Sequence, residues 1–280
     1  MTGKSPLSVA IITKDEEMNL PACLQSAAFA AQIVVVDSGS TDATLQIARD
    51  FGCDLFEEPW RGGFGAQKQF AINQCHCPWI IVLDADERIP LETAAVIARL
   101  INSNTDDVLK RCSDLPSHEG ADLINNKTIA GYSFPRKNFF QGRWIRHAGW
   151  WPDRLVRLFR RGQGGMSSAA VHEGLEVNGV VAHLDVPLEH FTESDFSKIL
   201  QKIDRYSGLG AQEAYNAGRR ATVSGALLRA GLTFFQDYIL RLGLLDGPQG
   251  LTLAVTDSVN KFFKYAKLAE MVRKSRATCR

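Results

Sequence analysis

Three acidic side chains follow a short apolar run in the first third of the sequence. Residues 80–83 are all Ile, Val or Leu, and Asp84, Asp86 and Glu87 lie directly after them. In an open parallel sheet the carboxyl ends of the strands border the ligand crevice. Two carboxylates spaced by one residue can share a divalent cation, which can neutralise a diphosphate. The sequence therefore predicts a metal and phosphate site here, with a solvated acidic turn as the alternative interpretation.

Two other predicted strands also end in polar groups. The apolar run Ile33–Val36 leads to Asp37, and the run Val9–Ile12 leads to Thr13 and Glu16. A carboxylate at such a position can accept a hydrogen bond from a nucleobase or a ribose, while the Ser-Gly-Ser-Thr segment after Asp37 is typical of a turn that caps a helix. Three strands thus deliver polar groups to one edge, and this convergence predicts a nucleotide site.

The apolar runs that precede these polar groups predict a mostly parallel sheet. They are continuous and rich in Ile and Val, as is typical of strands covered on both faces. Helix-length segments lie near them at Glu16–Ala30, Thr41–Phe51 and Gly63–Gln74. This βαβ pattern favours an α/β fold. Candidate strands follow at 131–140 and 155–159, and we interpret the polar residues 102–128 as a surface loop.

The charge distribution narrows the class of protein. The net charge of the whole chain is +1, which argues against a nucleic-acid partner. Residues 133–161 nevertheless carry eight Lys and Arg against one Asp, which indicates a site for an anion. No apolar run approaches the roughly 20 residues that span a bilayer, and we find no secretion signal. Six scattered cysteines are typical of reduced thiols in a cytoplasmic protein.

The last third of the chain is predicted to be helical and basic. Apolar residues recur at spacings of three and four from Leu227 to Leu242, and residues 219–280 carry eleven Lys and Arg against four Asp and Glu. Basic side chains alternate with Phe, Tyr and Leu over Leu251–Arg276. Such a helix can lie in the headgroup region of an anionic membrane. The alternative is that these helices pack on the catalytic domain or on a partner chain.

Three motifs carry a resemblance to a known family. Ile12–Glu17, Val35–Asp42 and Leu83–Glu87, in this order and spacing, resemble the signatures of family 2 glycosyltransferases with the GT-A fold. This resemblance implies a Rossmann-like, mostly parallel sheet with a β-rich acceptor region and a C-terminal helical extension. The implied division is a catalytic domain over 1–193, with a nucleotide-sugar half (1–101) and an acceptor half (129–193), followed by a helical region over 194–280.

A second set of motifs resembles a narrower group. Arg154–Arg161, Val171–Glu173 and Glu189–Phe191 resemble the bacterial lipopolysaccharide inner-core glucosyltransferases that add β-1,4-linked glucose to heptose. The resemblance implies an inverting, Mg²⁺- or Mn²⁺-dependent transfer of a hexose, glucose from UDP-glucose, to a lipid-linked saccharide acceptor. The enzyme would then work as a peripheral protein on the cytoplasmic face of the inner membrane.

The resemblance also implies roles for individual residues. Thr13 and Asp37 would hold the uracil, Asp84 the ribose or the metal, and Asp86 the metal. The other candidates fall into two groups. The resemblance implies contacts to the nucleotide sugar or its diphosphate for Glu16, Lys68, Arg154 and Arg157. It implies a further metal ligand in His190. Each of these residues has an alternative interpretation. Lys68 could lie on a solvated helix face, and His190 could be a structural histidine. The two arginines could bind an anionic acceptor instead.

An inverting transfer also needs a general base that takes the proton of the attacking hydroxyl. By resemblance this base is Glu173, and Asp153 is the competing candidate. Either carboxylate could instead be an ion-pair partner of the nearby arginines. Trp150 and Trp151 could form a stacking wall for a sugar ring or pack in the core.

Other enzyme classes fit less well. A nucleotidyltransferase would carry a Gly-rich loop near the N-terminus, and Ile11–Glu17 contains no glycine. A nicotinamide-dependent dehydrogenase would have G-x-G-x-x-G after the first strand, which this chain lacks. The open alternatives are a catalytically inactive, membrane-associated nucleotide-sugar binding or scaffold protein, and a transferase with a different acceptor.

Overall fold

The computed structural model describes residues 4–102, 129–167, 174–192 and 195–278. The chain divides into two compact units, the first formed by Met1–Arg136 with Arg154–His190 and the second by Lys137–Asp153 with Phe191–Arg280. Residues 137–153, which the sequence analysis grouped with the catalytic domain, thus belong with the C-terminal helices. Nearly all of the predicted loop 102–128 lies outside the described residues.

The first unit alternates strands and helices over its first hundred residues. These elements are β1 (Ser5–Thr13), α1 (Leu20–Ala27), β2 (Ala30–Asp37), α2 (Thr44–Phe51), β3 (Asp54–Glu57), α3 (Phe64–Asn73), β4 (Trp79–Asp84), β5 (Glu87–Arg88) and α4 (Leu91–Asn102). The later strands are β6 (Ile129–Phe140), β7 (Arg143–Trp144), β8 (Asp153–Arg160), β9 (Gly164–Met166), β10 (Leu175–Val177), β11 (Val180–His183) and β12 (Leu188–Phe191).

The main sheet is mixed and mostly parallel, as the sequence predicts. Its order is β3-β2-β1-β4-β8-β6-β12-β5. β1 to β4 run parallel to their neighbours within this group, β8 is antiparallel to β4, and β12 is antiparallel to β5. β11 adds to β6 in parallel. β9 and β10 form a separate antiparallel pair.

Both faces of the central strands are buried, which explains their continuous apolar sequences. On β1 the side chains of Val9 and Ile11 enter one core, which also contains residues of α1 and α4. Ala10 enters the core on the opposite face, together with Ala71 and Ile72 of α3. A strand covered by helices on both faces cannot alternate apolar and polar residues, because neither face meets solvent.

The first predicted helix is shorter than the sequence indicated. It begins at Leu20 rather than at Glu16. The backbone N–H of Glu16 instead donates to Thr44 Oγ1 at 2.8 Å, and that of Asp15 to Ser40 Oγ at 2.8 Å. The polar residues before Leu20 are thus bonded to the turn that follows β2, and the helix starts only after them.

The second unit is mainly helical. Its helices are α5 (Phe196–Asn216), α6 (Val223–Phe235) and α7 (Gly247–Thr278), with a π-helical turn at Gln236–Leu240 and a 3₁₀ turn at Gly243–Asp246. Asp195 caps α5 by accepting from the N–H groups of Ser197 and Lys198. Leu268 of α7 packs with Ala211 and Ala214 of α5. The basic segment that begins at Leu251 is therefore a packed helix.

The apolar stripe that starts at Leu227 faces outward. Leu227, Leu228 and Leu232 are 67%, 65% and 58% exposed, whereas Ala226 and Ala230 are the buried residues of α6. The stripe therefore supplies little of the core of this unit. None of the helices within the described residues is both long and apolar enough to cross a bilayer.

Candidate active site

Strand register brings the polar ends of three strands to one edge of the sheet. Thr13 pairs with Asp37 between β1 and β2, and Ile12 pairs with Asp84 between β1 and β4. The convergence predicted from the sequence thus follows from the parallel register, because parallel strands of similar length end at the same edge.

Asp37 is buried at the end of β2 and organises the turn after it. Its Oδ1 accepts from the backbone N–H groups of Gly39 at 2.9 Å and Ser40 at 2.8 Å. Its Oδ2 accepts from Thr13 Oγ1 at 3.0 Å and from the hydroxyl of Ser40. Gly39 adopts φ +96°, which an L side chain rarely adopts. The contact of Thr13 and Asp37 with a uracil stays a prediction; in the free protein these two residues bind each other.

Asp84 lies between two cations. Lys68 Nζ, from α3, is 2.5 Å from its Oδ1, and Arg157 of β8 donates to its Oδ2 at 3.0 Å. The Lys68 side chain is only 13% exposed, so it does not lie on a solvated helix face. Both oxygens of Asp84 are therefore engaged by the protein itself, as is the guanidinium of Arg157 that was predicted to bind a diphosphate.

Glu87 forms the buried base of the cluster. Its side chain is 0% exposed and accepts from Arg157 at 2.6 Å and from Arg136 at 3.2 Å. It also accepts from the backbone N–H of Asp84 at 3.1 Å, which fixes the turn between β4 and β5. The sequence analysis gave Glu87 no specific role and did not single out Arg136. The excess of basic residues over 133–161 was the one signal that could have indicated this partner.

The charges in this cluster reinforce one another. Burial by itself would raise the pKa of Asp84, but the positive charges of Arg157 and Lys68 outweigh it and hold that pKa well below its usual range. Burial would likewise lower the pKa of Arg157, and the carboxylates of Glu87 and Asp84 instead raise it above its ordinary value. Asp84 and Arg157 are therefore both charged at neutral pH.

Asp86 and His190 form the more accessible pair of the site. β12 pairs His190 with Glu87 of β5, which brings the imidazole next to the preceding turn. His190 Nε2 lies 3.3 Å from Asp86 Oδ2, and the two side chains are 17% and 25% exposed. No group of three or more His, Cys, Asp or Glu side chains in the described residues could hold a metal ion.

These two side chains still fit a divalent cation. Mg²⁺ is commonly held by one or two carboxylates, with waters and substrate phosphates in its other positions. Asp86 supplies one such carboxylate, and the imidazole of His190, 3.3 Å from it, adds a nitrogen ligand. Asp84 fits this role less well, because Lys68 and Arg157 bind both of its oxygens.

The remaining predicted residues lie in other settings. Glu16 accepts from Asn19 Nδ2 at 2.9 Å, and Arg154 pairs with the exposed Asp185 at 2.9 Å. Asp153 belongs to the second unit, where it accepts from Asn138 at 3.3 Å. Glu173 lies outside the described residues.

A free thiol lies behind the cluster. Cys23 is fully buried on α1, and its Sγ is 3.6 Å from the backbone oxygen of Asp84. Burial, with the added effect of the carboxylates of Glu87, Asp86 and Asp84, raises the pKa of Cys23 well above its usual value. The thiol is therefore protonated at neutral pH.

Comparison with known proteins decides the family. The model of the family described as "Glycosyl transferase family 2" matches residues 8–161, which include β1 to β8. The chain belongs to glycosyl transferase family 2. The family and the GT-A type of α/β fold predicted from the sequence are thereby confirmed, and the protein is a glycosyltransferase.

Relatives within family 2 cover nearly the whole chain. The lipopolysaccharide core biosynthesis glycosyltransferase LpsC of Rhizobium meliloti is 32% identical over 96% of this chain and 93% of its own length. An uncharacterised glycosyltransferase of Rickettsia typhi is 22% identical over 96% of this chain and 89% of its own. The crystal structure of S. aureus TarS residues 1–349 aligns with a TM-score of 0.43 and 16% identity, over 96% of this chain and 91% of that 1–349 chain.

Proposed function

We propose that this glycosyltransferase moves a hexose, glucose from UDP-glucose, to a saccharide of the lipopolysaccharide core, with heptose as the receiving sugar. The observation that carries the donor half of this proposal is the edge of the sheet where Asp84 and Asp86 meet Lys68, Arg157 and His190. The acceptor half is supported by similarity to LpsC, whose name assigns it to core biosynthesis.

The cations at this edge suit a nucleoside diphosphate. The diphosphate gains negative charge as the glycosidic bond breaks, and positioned cations stabilise that charge. Lys68 is bound to Asp84 in the free protein, where its ammonium is already desolvated and oriented. Arg157 is held more firmly, since Glu87 binds it from the buried side. We therefore assign Lys68 the direct contact with the diphosphate and Arg157 the positioning of Asp84.

Asp86 and His190 would hold the Mg²⁺ or Mn²⁺ ion. When bound, the ion supplies further positive charge for the leaving diphosphate. To act as a ligand His190 must be neutral and must bind through Nε2, the atom that now lies 3.3 Å from Asp86. The protein's own part is to present these two side chains on β12 and on the turn after β4, so that they need little rearrangement.

Turnover assays test this assignment. We expect purified enzyme to release UDP from UDP-glucose in the presence of Mn²⁺ and a heptose-bearing lipopolysaccharide acceptor, and Asp86→Ala to lower this rate by roughly 100-fold or more. Asp50→Ala, which removes an exposed carboxylate on α2, is the matched control and should leave the rate unchanged. An active Asp86→Ala enzyme would contradict the role of Asp86. Transfer to other glycans but never to heptose would contradict the assignment of heptose as the receiving sugar.

The general base is assigned by a second pair of variants. We propose Glu173 as the base and Asp153 as its competitor. Glu173→Gln should keep UDP binding and lose about 10²–10⁴-fold in transfer, because the hydroxyl would no longer be deprotonated as it attacks. Asp153→Asn, measured in parallel, should lose much less. If Asp153→Asn loses more transfer activity than Glu173→Gln, the base is Asp153.

We also propose that the second unit binds the cytoplasmic face of the inner membrane, where a lipid-linked acceptor would be presented. Support comes from the outward face of α6 and the turns after it, which we call the leucine face: Leu227, Leu228, Leu232, Phe235, Ile239, Leu240 and Leu242, all at least 40% exposed. Across residues 219–245 the only acidic residue is Asp237, which is 5% exposed and paired with Arg241 at 2.9 Å.

The charges near the leucine face favour an anionic lipid surface over a second protein chain. Arg219 and Arg220, which precede α6, and Arg229 within α6 are exposed. Each basic residue near an anionic membrane contributes about 1 kcal/mol, and apolar side chains add to this. Flotation with phosphatidylglycerol vesicles should therefore show binding that weakens as salt is raised. Protein that dimerises but ignores vesicles would contradict this part of the proposal.

A further inference from the structure

The second unit contains a pocket that the assignments above leave unused. Its volume is about 250 Å³. Residues from three parts of the unit line it: Phe140 and Trp150 from the residues near β7, Lys202 and Tyr206 from α5, and Asp257 and Asn260 from α7. Pockets for drug-sized ligands measure about 300–1,000 Å³. The smaller volume here suits a single ring.

One polar atom in the pocket wall lacks a partner. Asn260 Oδ1 is buried and accepts no hydrogen bond from any described residue. A buried acceptor without a donor is unusual in a native protein. Because this oxygen is closed off from solvent, a ligand that brings an O–H or N–H group to Asn260 would satisfy it once the amide turns toward the pocket. The pocket is thus completed by a hydrogen-bond donor rather than by a purely apolar group.

The other lining residues narrow the ligand further. Phe140, Trp150 and Tyr206 offer aromatic surface, against which the C–H face of a sugar ring can pack. Thr192 and Thr256 add hydroxyl oxygens that can accept, because their O–H groups already donate to the backbone oxygens of Phe139 and Leu253. Aromatic surface combined with several acceptors suits a ring that carries hydroxyl groups.

The charges in the wall argue against two other ligands. Asp257 would repel a phosphate or carboxylate, although Lys202 lies in the same wall. An acyl chain would cover Asp257 and Asn260 without offering either a hydrogen bond, which costs free energy. A neutral ring that carries hydroxyl groups meets neither objection.

We propose that this pocket binds one saccharide ring of the acceptor glycan. The assignment to the acceptor rests on the proposed transfer to a core saccharide. The preference for a hydroxylated ring rests on the pocket alone, so the two parts can be tested separately.

Ligand-observed NMR on the full chain tests the preference. The probes are D-glucose, methyl α-D-mannopyranoside and L-glycero-D-manno-heptose, with octanoate as the acyl arm. We expect at least one of the three sugars to bind, and Asn260→Leu to weaken that binding by about tenfold, as expected for one lost hydrogen bond. Asn260→Asp keeps the acceptor oxygen and the shape, and should retain most of the binding.

A matched pair of lysine variants separates the pocket from general charge effects. Lys202→Met changes the wall, whereas Lys198→Met removes the same charge one turn earlier on α5 and outside the wall. Only Lys202→Met should weaken sugar binding. Equal binding by wild type, Asn260→Leu and Lys202→Met, or sugar displaced by octanoate, would overturn the inference.

Kinetics then distinguishes the two proposals. If both hold, Asn260→Leu raises the acceptor KM by about tenfold and leaves the slow hydrolysis of UDP-glucose without acceptor unchanged. If the proposed transfer is wrong, no heptose acceptor supports turnover, yet the sugar-binding difference between Asn260→Leu and Asn260→Asp persists. If the pocket inference is wrong, transfer proceeds and the acceptor KM does not change.

Discussion

The two units differ in where their apolar side chains lie. In the first unit the apolar residues of β1, β2 and β4 are buried, and the buried carboxylate of Glu87 is bound by two arginines. In the second unit the leucine face of α6 is exposed, and the amide oxygen of Asn260 is buried without a partner among the described residues.

This difference indicates which kind of ligand or surface each unit suits. The first unit pairs carboxylates with cations at one edge of the sheet, as suits a small, charged, water-soluble donor. Among the described residues both units hold a buried polar atom without a partner, Arg157 Nε in the first and Asn260 Oδ1 in the second. The second unit exposes leucines on α6, which costs solubility in isolation. Such features are retained when a partner covers them. The comparison can be tested by substitutions that act on one unit and leave the other unchanged.

The largest effect is expected from the buried ion pairs of the first unit. Arg157→Met would leave Glu87, whose side chain is 0% exposed, with Arg136 as its remaining charged partner. Removing one partner of a buried pair typically costs about 3–5 kcal/mol, and urea unfolding at pH 7 measures this loss. Arg154→Met on the same strand breaks an exposed pair with Asp185 and an exposed hydrogen bond to the backbone oxygen of Leu184, and should cost about 0–1 kcal/mol. Similar losses for both variants would show that the cluster is not a buried network.

A smaller effect is expected on membrane binding by the second unit. The double variant Leu228→Ser with Leu232→Ser should lower partition onto phosphatidylglycerol vesicles by at least about tenfold, since a fully buried Leu contributes about 1.5–3 kcal/mol. Leu200→Ser with Leu209→Ser, on α5, removes two leucines of similar exposure, 60% and 59%, outside the leucine face. Flotation at low salt measures both. Equal losses for the two double variants would contradict a role for α6 itself.

The smallest effect concerns Asp257. This residue is exposed, but the protein atoms around its carboxyl and the charge of Asp237 raise its pKa to about 6. Lys261 and Arg241 oppose this shift. Lys202 is a further charged residue of the same pocket wall. Stability from the protonated form is present below the unfolded pKa of about 3.9 and is lost as pH rises through about 6.

Asp257→Asn removes the titrating carboxyl and with it the loss of stability between about pH 4 and pH 6. The variant should therefore gain about 2–4 °C in Tm relative to wild type at pH 8, and little at pH 4.5, by differential scanning fluorimetry. Glu270→Gln, an exposed position on the same helix, should show no such gain at pH 8. A constant difference between Asp257→Asn and wild type across this pH range would mean that the carboxyl titrates normally.

Much of the first unit could be predicted from sequence. Continuous runs of Ile and Val marked β1, β2 and β4, because only strands buried on both faces tolerate them. β3 was missed, since the sequence Asp-Leu-Phe-Glu over 54–57 has no such run and forms an edge strand. The strand ends then located Thr13, Asp37 and Asp84 together. The partners of Glu87 could not be predicted, because Arg136 and Arg157 are 49 and 70 residues away and only the fold brings them near.

Less of the second unit could be predicted. Periodicity marked a helix from Leu227 onward, but it cannot tell which face is buried, and here alanines rather than leucines face α7. A single helix through Leu242 was also wrong: α6 ends at Phe235, a π-helical turn follows, and Leu242 adopts a left-handed conformation with φ 58°. The assignment of Glu173 and Asp153 as candidate bases came from resemblance alone, and both remain predictions.

The position of Cys23 has a practical consequence. Its thiol lies directly behind Asp84 but is sealed from solvent and holds its proton. Alkylating reagents attack only the thiolate and only where they can reach it. Loss of activity that follows alkylation of Cys23, and not of the other five cysteines of the chain, would therefore record transient opening of α1 from the sheet. The rate at which this sulfur is modified thus measures how often α1 opens away from the strand that carries Asp84.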